Sequence, residues 1–389
     1  MDFALNDEQR ALQDAVRSFL RDRFGPKQVR ELYETDSDGV PTALWGSIGE
    51  QGWLAVLVPE EHDGIGLGVL DAAVLARAFG AGTVPGPWLS TVLLGEAITR
   101  AGSPEQQASW LPRIAAGEVK GAVALLKAGA SPSPAGAPAL ALGGTLSGRL
   151  ELVEYASVAD TLLVAAQDGL YLVDPRGAGV TITEHEVLDR TTRLAGVVLD
   201  GAAGEVLPGS SPEVLQRLLD VAAVLVANDL VGISRRSLTE TVDYDKTRMQ
   251  FGKPIGSFQA IKHHLADIHL AITMAEHAAT YAAHALDTDA PGAPLAVAIA
   301  KAKASDTGRE TTSALIQYLG GIGYTWEHDA HFSFKRSKRL EYAYGDSSQH
   351  RERIAALSLD GGSVRSAVPG TTAGGTQGVT GTGVAAGVA

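Results

Sequence analysis

The stretch RMQFGKPIGSFQ, residues 248–259, joins two long segments with helical patterns and decides how the chain is organised. Gly252, Pro254 and Gly256 interrupt any helix and let the backbone turn close to a bulky neighbour. Arg248 adds a forked cation beside the bend, a group suited to pyrophosphate. This combination indicates contact with an anionic ligand that carries rings, although an ordinary solvated loop between helices can have the same composition.

Helical patterns continue on both sides of this bend. Ser257 is a candidate N-cap for the helix that follows it, and Ser211 is a candidate N-cap for the helix that precedes it. Long apolar faces with few helix breakers favour a four-helix bundle. The predicted helices cover about 212–244, 258–287, 293–319 and 346–359, with a turn-rich link at 320–345.

The rest of the chain divides into two regions with different patterns of apolar residues. Residues 1–118 have helical periodicity, whereas 119–209 contain short apolar runs separated by turn residues. The sequence therefore predicts an α+β multidomain protein with an N-terminal helical domain (1–118), a small central β-barrel or β-sandwich domain (119–209) and a C-terminal four-helix bundle (210–360). Residues 128–143 are expected to form a mobile loop, and the Gly/Ala/Thr-rich tail 361–389 is expected to be disordered.

Composition excludes several functions. The chain has 389 residues, a formal net charge of −13 and no cysteine. The acidic balance argues against nucleic acid as a partner, and the lack of cysteine excludes disulfides and thiolate metal sites. We predict no metal, no membrane segment and, because the N-terminus does not resemble a signal peptide, a cytoplasmic protein.

The bend resembles the Arg-x-x-Phe-Gly-x-x-Ile/Leu-x-x-x-Gln segment of the flavin-dependent acyl-CoA dehydrogenase family. Residues 59–68 are similar to that family's Pro-Glu-x-x-Gly-Gly-x-Gly turn, and residues 104–118 to its helix-end and crossover segment. Residues 317–323 are similar to its Gln-x-x-Gly-Gly-x-Gly segment. The resemblances follow the family's order, and helices, a β domain and a second helical region are also its domain order.

The resemblance implies FAD as cofactor and α,β-dehydrogenation of an acyl-CoA thioester. In that reaction a carboxylate removes the α-proton while hydride leaves the β-carbon for the flavin. An electron-transferring flavoprotein is the implied acceptor. The Gln-x-x-Gly-Gly-x-Gly segment usually contacts the adenosine part of FAD across a subunit interface. The implied cofactor-binding residues are Arg248, Gln250, Phe251, Phe258, Gln259, Gln317, Gly320, Gly321, Ser347 and Gln349.

The sequence departs from the family at the catalytic base. The usual base is the Glu of a Tyr-Glu-Gly-Thr segment, and the matching residues here are Tyr344-Gly345-Asp346-Ser347. Gly345 therefore occupies the glutamate's position. Some members carry the base on the long helix before the bend, but the matching position holds Ala222.

Two nearby acids are alternatives for the base. Asp346 is one residue late and also fits an N-cap, with Gln349 closing a capping box. Asp220 lies two residues from Ala222, a rotation of about 200° around the helix. We expect Asp346 to be the better of the two candidates.

The β domain departs from the family as well. Leu126–Ser131 and Leu152–Tyr155 stand where members carry a Thr-Glu-Pro-x-x-Gly-Ser-Asp segment and a Trp-x-Thr/Ser segment that hold the flavin ring and phosphate. The chain thus keeps the segments that reach a neighbour's flavin but lacks its own base. In this it resembles the base-less subunit of actinobacterial heterotetrameric acyl-CoA dehydrogenases of steroid side-chain degradation, and a homologous base-bearing subunit is the implied partner. A self-sufficient enzyme that uses Asp346, a flavin-free acyl-CoA-binding scaffold and another flavin chemistry on this fold remain alternatives.

Overall fold

A computed structural model describes residues 5–360, in which helices enclose a central sheet. The predicted disordered tail 361–389 lies outside the described residues. Within 5–360, no helix combines the length and apolarity needed to cross a membrane. The N-terminal helices are α1 (Asp7–Arg23), α2 (Pro26–Glu34), α3 (Thr42–Glu50), α4 (Val69–Gly82), α5 (Trp88–Ala101) and α6 (Pro104–Ala115).

The central region is an eight-stranded, mostly antiparallel sheet. Its strands run in the order β6-β7-β3-β2-β4-β5-β8, and β1 pairs parallel with β4. Because the path has two ends, the sheet is not a closed barrel. The strands are β1 (Gly121–Ala124), β2 (Ala139–Leu142), β3 (Thr145–Glu154), β4 (Thr161–Ala166), β5 (Gly169–Val173), β6 (Val180–His185), β7 (Leu194–Ala203) and β8 (Glu205–Val206).

Strand β4 is buried on both faces of the sheet. Leu162 and Val164 point into the interior of the sheet region, where side chains of β3 and β7 meet them. Leu163 and Ala165 alternate with them and pack against α5, α6 and the first turns of the helix that begins at Pro212. All six residues of β4 are buried, as expected for a strand covered on two sides.

The C-terminal region contains the predicted long helices. They are α7 (Pro212–Thr247), α8 (Gln259–Asp287), α9 (Ala293–Leu319), α10 (Ala330–Tyr342) and α11 (Ser347–Ala355), and a hairpin of β9 (Met249–Gln250) and β10 (Lys253–Pro254) joins α7 to α8. Ser211 caps α7 as predicted, since its side chain accepts the N–H of Val214. Ser257 does not cap α8: it lies in a 3-10 turn, and Phe258 occupies the N-cap without a side-chain hydrogen bond.

Two other local predictions were wrong. Helix α10 lies within the predicted turn-rich link 320–345, and strand β2 lies within the predicted mobile loop 128–143. The sequence of α10, AHFSFKRSKRLEY, is rich in charge and lacks a clear apolar stripe. Its buried face instead carries Arg336 and Glu341, which pair with Asp229 of α7 and Arg309 of α9.

One ionic network connects the three regions. Arg339 of α10 donates to Glu154 at the end of β3 and, through Nε at 2.8 Å, to Asp189 in the loop after β6. Tyr33 of α2 donates to the same Asp189 at 3.2 Å. Burial lowers the pKa of Arg339, but the neighbouring charges of Glu154 and Asp189 outweigh it and raise that pKa overall. The network therefore joins helices α2 and α10 to the sheet region.

Candidate functional site

The structure gathers the sequence-predicted site residues into two separate groups. The first group surrounds the end of α7 and contains the β9–β10 hairpin and the end of α9. Tyr244 connects the two, because its carbonyl accepts the N–H of Arg248 at 2.9 Å and its hydroxyl donates to the carbonyl of Leu319 at 3.4 Å. The bend and the Gln317–Gly323 segment, which are distant in sequence, therefore share one end of the helical region.

The hairpin presents an aromatic and cationic surface. Gln250 pairs with Lys253, and the two turn residues, Phe251 and Gly252, both have positive φ, 52° and 75°. This is the geometry of a tight type I′ hairpin turn, and it is unfavourable for a bulky residue such as Phe251. Phe251 is 90% exposed, and its ring makes an edge contact with the Phe258 ring, with 6.1 Å between the centroids.

The polar groups beside the hairpin are also available to bind a ligand. Arg248 is exposed, and its guanidinium has no ion pair within residues 5–360. Because no side chain caps α8, the first N–H groups of that helix are left for another acceptor. An exposed arginine beside an uncapped helix start suits a phosphate or another anion.

Glycines form the opposite side of this group. Helix α9 ends at Leu319, and Gly320 terminates it with a φ of 66°. A Cβ atom placed on Gly320 or on Gly321 would have no atom within 4 Å. The backbone there is open to a ligand or to another chain, and Gln317 lies on the last turn before it.

The second group lines a cavity of about 480 Å³ between the sheet and the α10–α11 connection. This volume is in the range of small-molecule sites. Leu126–Ala130 and Leu152–Glu154 form one side, and Tyr342–Asp346 together with Gln349 forms another. The two β-domain segments singled out by the sequence thus meet the Tyr344–Ser347 segment. Ser347 itself is buried beside the cavity, where its hydroxyl accepts from Arg351 at 3.3 Å.

Gly345 leaves no room for a side chain at its position. Its φ is 96°, and a Cβ atom would lie 2.9 Å from Nε2 of His350 and 3.0 Å from Cγ of Pro132. A Cβ atom does not normally approach other atoms this closely, so any larger residue would require His350, Pro132 or the turn itself to shift. The loop that carries Pro132 is itself held by Gln349, whose amide donates to the carbonyl of Gly129 at 3.0 Å.

A buried lysine donates hydrogen bonds to the backbone of the same turn. Lys301 of α9 donates to the carbonyls of Gly345 at 2.8 Å and Glu341 at 3.0 Å. Burial lowers the pKa of Lys301 to about 7, while the charges of Asp346 and Glu341 oppose that change. Sequence reasoning missed this residue, since a lysine in an alanine-rich helix gives no signal of burial.

Asp346 forms the predicted N-cap of α11. Its Oδ1 accepts the N–H of Gln349 at 2.8 Å, and Gln349 accepts the N–H of Asp346 at 3.0 Å, which confirms the capping box. Asp346 also lines the cavity, so its role as a base stays a prediction. Asp220 makes a bidentate ion pair with Arg353, at 2.6 and 3.1 Å, and does not line that cavity.

Known proteins identify the family. The family model described as "Acyl-CoA dehydrogenase, N-terminal domain" matches residues 6–118, and the family model described as "Acyl-CoA dehydrogenase, C-terminal domain" matches residues 213–359. The acyl-CoA dehydrogenase IpdE2 of Mycobacterium tuberculosis is 33% identical over 333 residues, which are 85% of this chain and 91% of that protein. The chain belongs to the acyl-CoA dehydrogenase family. This confirms the family resemblance and the fold class predicted from the sequence.

Two solved acyl-CoA dehydrogenase structures are similar along nearly the whole chain. A variant of the Tcur3481-Tcur3483 steroid ACAD has a TM-score of 0.84 and 30% identity, over 91% of this chain and 98% of that chain. The ChsE4-ChsE5 complex from Mycobacterium tuberculosis has a TM-score of 0.84 and 27% identity, over 92% of this chain and 98% of that chain. Both relatives are named as pairs of different proteins.

Asp346 combines an observed cap with a predicted role as base, and substitutions can separate the two in this acyl-CoA dehydrogenase. Replacing Asp346 by Ala should lower the free energy of unfolding by about 1 kcal/mol, because the capping hydrogen bond is lost. Asp346→Ser should retain most of this stability, since serine also caps, but it lacks a carboxylate. Urea unfolding gives the stability, and turnover of Asp346→Ser in the active assembly tests the base. Loss of turnover in the stable Ser variant would identify Asp346 as the base.

Proposed function

We propose that this chain is one subunit of a hetero-oligomeric acyl-CoA dehydrogenase that oxidises the α,β bond of an acyl-CoA thioester with FAD. In this proposal a homologous partner subunit supplies the catalytic glutamate. The observation that supports it is the turn at Gly345, which the family resemblance matches to the position of the base. Glycine brings no carboxylate there, its φ is 96°, and an added Cβ atom would crowd His350 and Pro132. Removal of the α-proton needs a base, and in this proposal the partner chain provides it.

The residues at the hairpin end fit the adenosine diphosphate part of FAD. Arg248 offers a forked cation for pyrophosphate, and the uncapped start of α8 offers further N–H donors. Phe251 offers an exposed ring, and Gly320 and Gly321 let a ligand approach the backbone. FAD, when bound, supplies the hydride acceptor of the reaction.

The cavity of the same chain fits the flavin ring less well. Leu152 and Glu154 stand where members of the family carry the Trp and the Thr or Ser of the ring-holding segment. Glu154 is an acceptor-only carboxylate that already pairs with Arg339, so it offers no hydroxyl donor to a ring. The contrast between the two groups supports a shared arrangement, in which the hairpin end of this chain contacts an FAD whose ring lies in the partner's site.

The residues of this chain then act by binding and orientation. The guanidinium of Arg248 neutralises phosphate charge, and the hairpin covers the cofactor and excludes water from it. The partner's carboxylate takes the α-proton. We further propose that an electron-transferring flavoprotein reoxidises the cofactor, and that the similarity to a steroid ACAD favours a steroid-derived acyl group.

Co-expression tests the proposal. The chain should be produced alone and together with a homologue that carries the Glu of the Tyr-Glu-Gly-Thr segment, and each product should be examined by native mass spectrometry. We expect an assembly of unlike chains with one FAD per pair, and acyl-CoA-dependent reduction of an artificial electron acceptor by the assembly only. Full activity of the purified single chain would contradict the proposal, and Asp346→Ser would then show whether that activity depends on Asp346.

A further inference from the structure

A buried carboxyl group without a partner lies beneath the hairpin. Asp245 is in the last turn of α7, and only 1% of it is exposed. Neither of its carboxyl oxygens has a hydrogen-bond partner in the described part of the chain, and the same is true of the buried hydroxyl of Ser257. Such groups carry a free-energy penalty unless they are neutral or find a donor.

Asp245 interacts with both segments proposed to contact FAD. On the hairpin side, a Cβ atom on Gly256 would lie 3.0 Å from the Asp245 carbonyl and 3.3 Å from its Cβ, so the turn 255–257 packs directly on this residue. In the other segment, burial and then the charge of Asp245 raise the pKa of Tyr318, which is next to Gln317, so the two groups interact electrostatically.

No cation compensates a charge on Asp245 within residues 5–360. Helix α9 contributes Tyr318, whose hydroxyl shares a hydrogen bond of 2.6 Å with Nδ1 of His264 on α8. On α7 itself, Lys246 pairs with Asp243 instead. The turn 255–257 brings only the hydroxyl of Ser257. Burial is accordingly the cause that raises the pKa of Asp245 to about 6.

We propose that Asp245 is a positioning residue that, in its neutral form, holds the hairpin and the Gln317 segment in the arrangement that contacts FAD, and that its ionisation loosens both. This inference rests on the proposed function for the FAD contact, but not for the coupling between Asp245 and the hairpin. The direction of the pH effect follows from the raised pKa of Asp245. In the closed segment Asp245 keeps its proton up to about pH 6, whereas in an opened segment, where its pKa is the ordinary 3.8, it loses the proton at lower pH. The closed form therefore loses stability as pH rises from about 4 to 6.

Hydrogen–deuterium exchange of the full-length protein tests the coupling without FAD. For these two pKa values, protection of the backbone amides in residues 248–257 should fall about tenfold between pH 5 and pH 8, after correction for the intrinsic exchange rate. In Asp245→Asn, which cannot ionise, the same amides should keep their protection at both pH values. Asp245→Ala should give the same flat profile if the amide variant folds poorly. Asp243→Asn, an exposed acid on the same helix, is the control and should follow the unmodified protein.

The FAD-loaded assembly provides the second measurement. Its dissociation constant for FAD should be higher at pH 8 than at pH 5, by no more than about tenfold because it follows the fraction of closed segment, and Asp245→Asn should remove this dependence. An identical pH dependence of exchange in the unmodified protein and in Asp245→Asn would overturn the inference, as would loss of protection in Asp245→Asn at pH 5. If no assembly binds FAD, the proposed function fails, while the exchange experiment still decides the role of Asp245.

Discussion

Replacing Arg248 by alanine should weaken FAD binding by the assembled enzyme about 10- to 100-fold. A hydrogen bond to a charged group contributes about 1.5–3 kcal/mol, and a forked guanidinium can make two of them to a phosphate. The free chain provides no competing ion pair for this guanidinium within residues 5–360, so its full interaction remains for the cofactor. Titration of the cofactor-depleted assembly with FAD, followed by flavin fluorescence, measures the change.

Lys246→Ala is the matched control for Arg248→Ala. Lys246 lies two residues earlier, is 67% exposed at its side chain and pairs with Asp243 on its own helix. Its removal changes the net charge equally, yet we expect less than a twofold effect on FAD affinity, since exposed pairs contribute little. Arg248→Lys should fall between the two because it keeps the charge but loses the fork. Equal effects of Arg248→Ala and Lys246→Ala would show that only long-range charge matters.

The large features of the fold were predictable because their causes are local. A serine followed by proline and a long apolar repeat specified the start of α7, and the structure has that cap at Ser211. Short apolar runs separated by turns specified the strands of the sheet. The sequence did not predict α10 or β2, because charge in the first and low complexity in the second hid their periodicity.

Residues that depend on distant partners were beyond sequence reasoning. Lys301 and Arg336 are buried and Arg339 is largely buried, and each has acceptors in segments far away in the chain. No spacing rule connects Glu154, Asp189 and Arg339, which become neighbours only when sheet and helices assemble. The same limit applies to Asp245, because neither its burial nor its lack of a partner can be read from the surrounding residues.

The candidate site was predicted unevenly for the same reason. The capping box at Asp346 and Gln349 follows from a spacing of three residues, and the structure contains it. Family resemblance pointed to the hairpin and the Gln317 segment, but not to their meeting at Tyr244. The roles of these residues toward FAD remain predictions for the experiments above.

Replacing Arg336 by methionine should lower the free energy of unfolding by about 3–5 kcal/mol, the largest effect expected for a single side chain here. Arg336 is buried and donates to both carboxylate oxygens of Asp229, at 3.2 and 2.5 Å, and to the carbonyl of Val84 at 2.8 Å. Methionine fills similar space but leaves Asp229 as an unpaired, mostly buried charge. Chemical denaturation with urea gives the change in free energy.

A second substitution separates the charge penalty from the loss of packing. Adding Asp229→Asn to Arg336→Met removes the stranded charge, so the double variant should be more stable than Arg336→Met alone although it lacks both ionic groups. Arg10→Met, at an exposed pair with Asp7, is the control and should cost less than about 1 kcal/mol. If Arg336→Met costs no more than this control, the ionic contacts between α10 and α7 do not stabilise the fold. A large loss in the single variant with partial recovery in the double would instead show that α10, which carries few apolar residues, is held in place by paired charges.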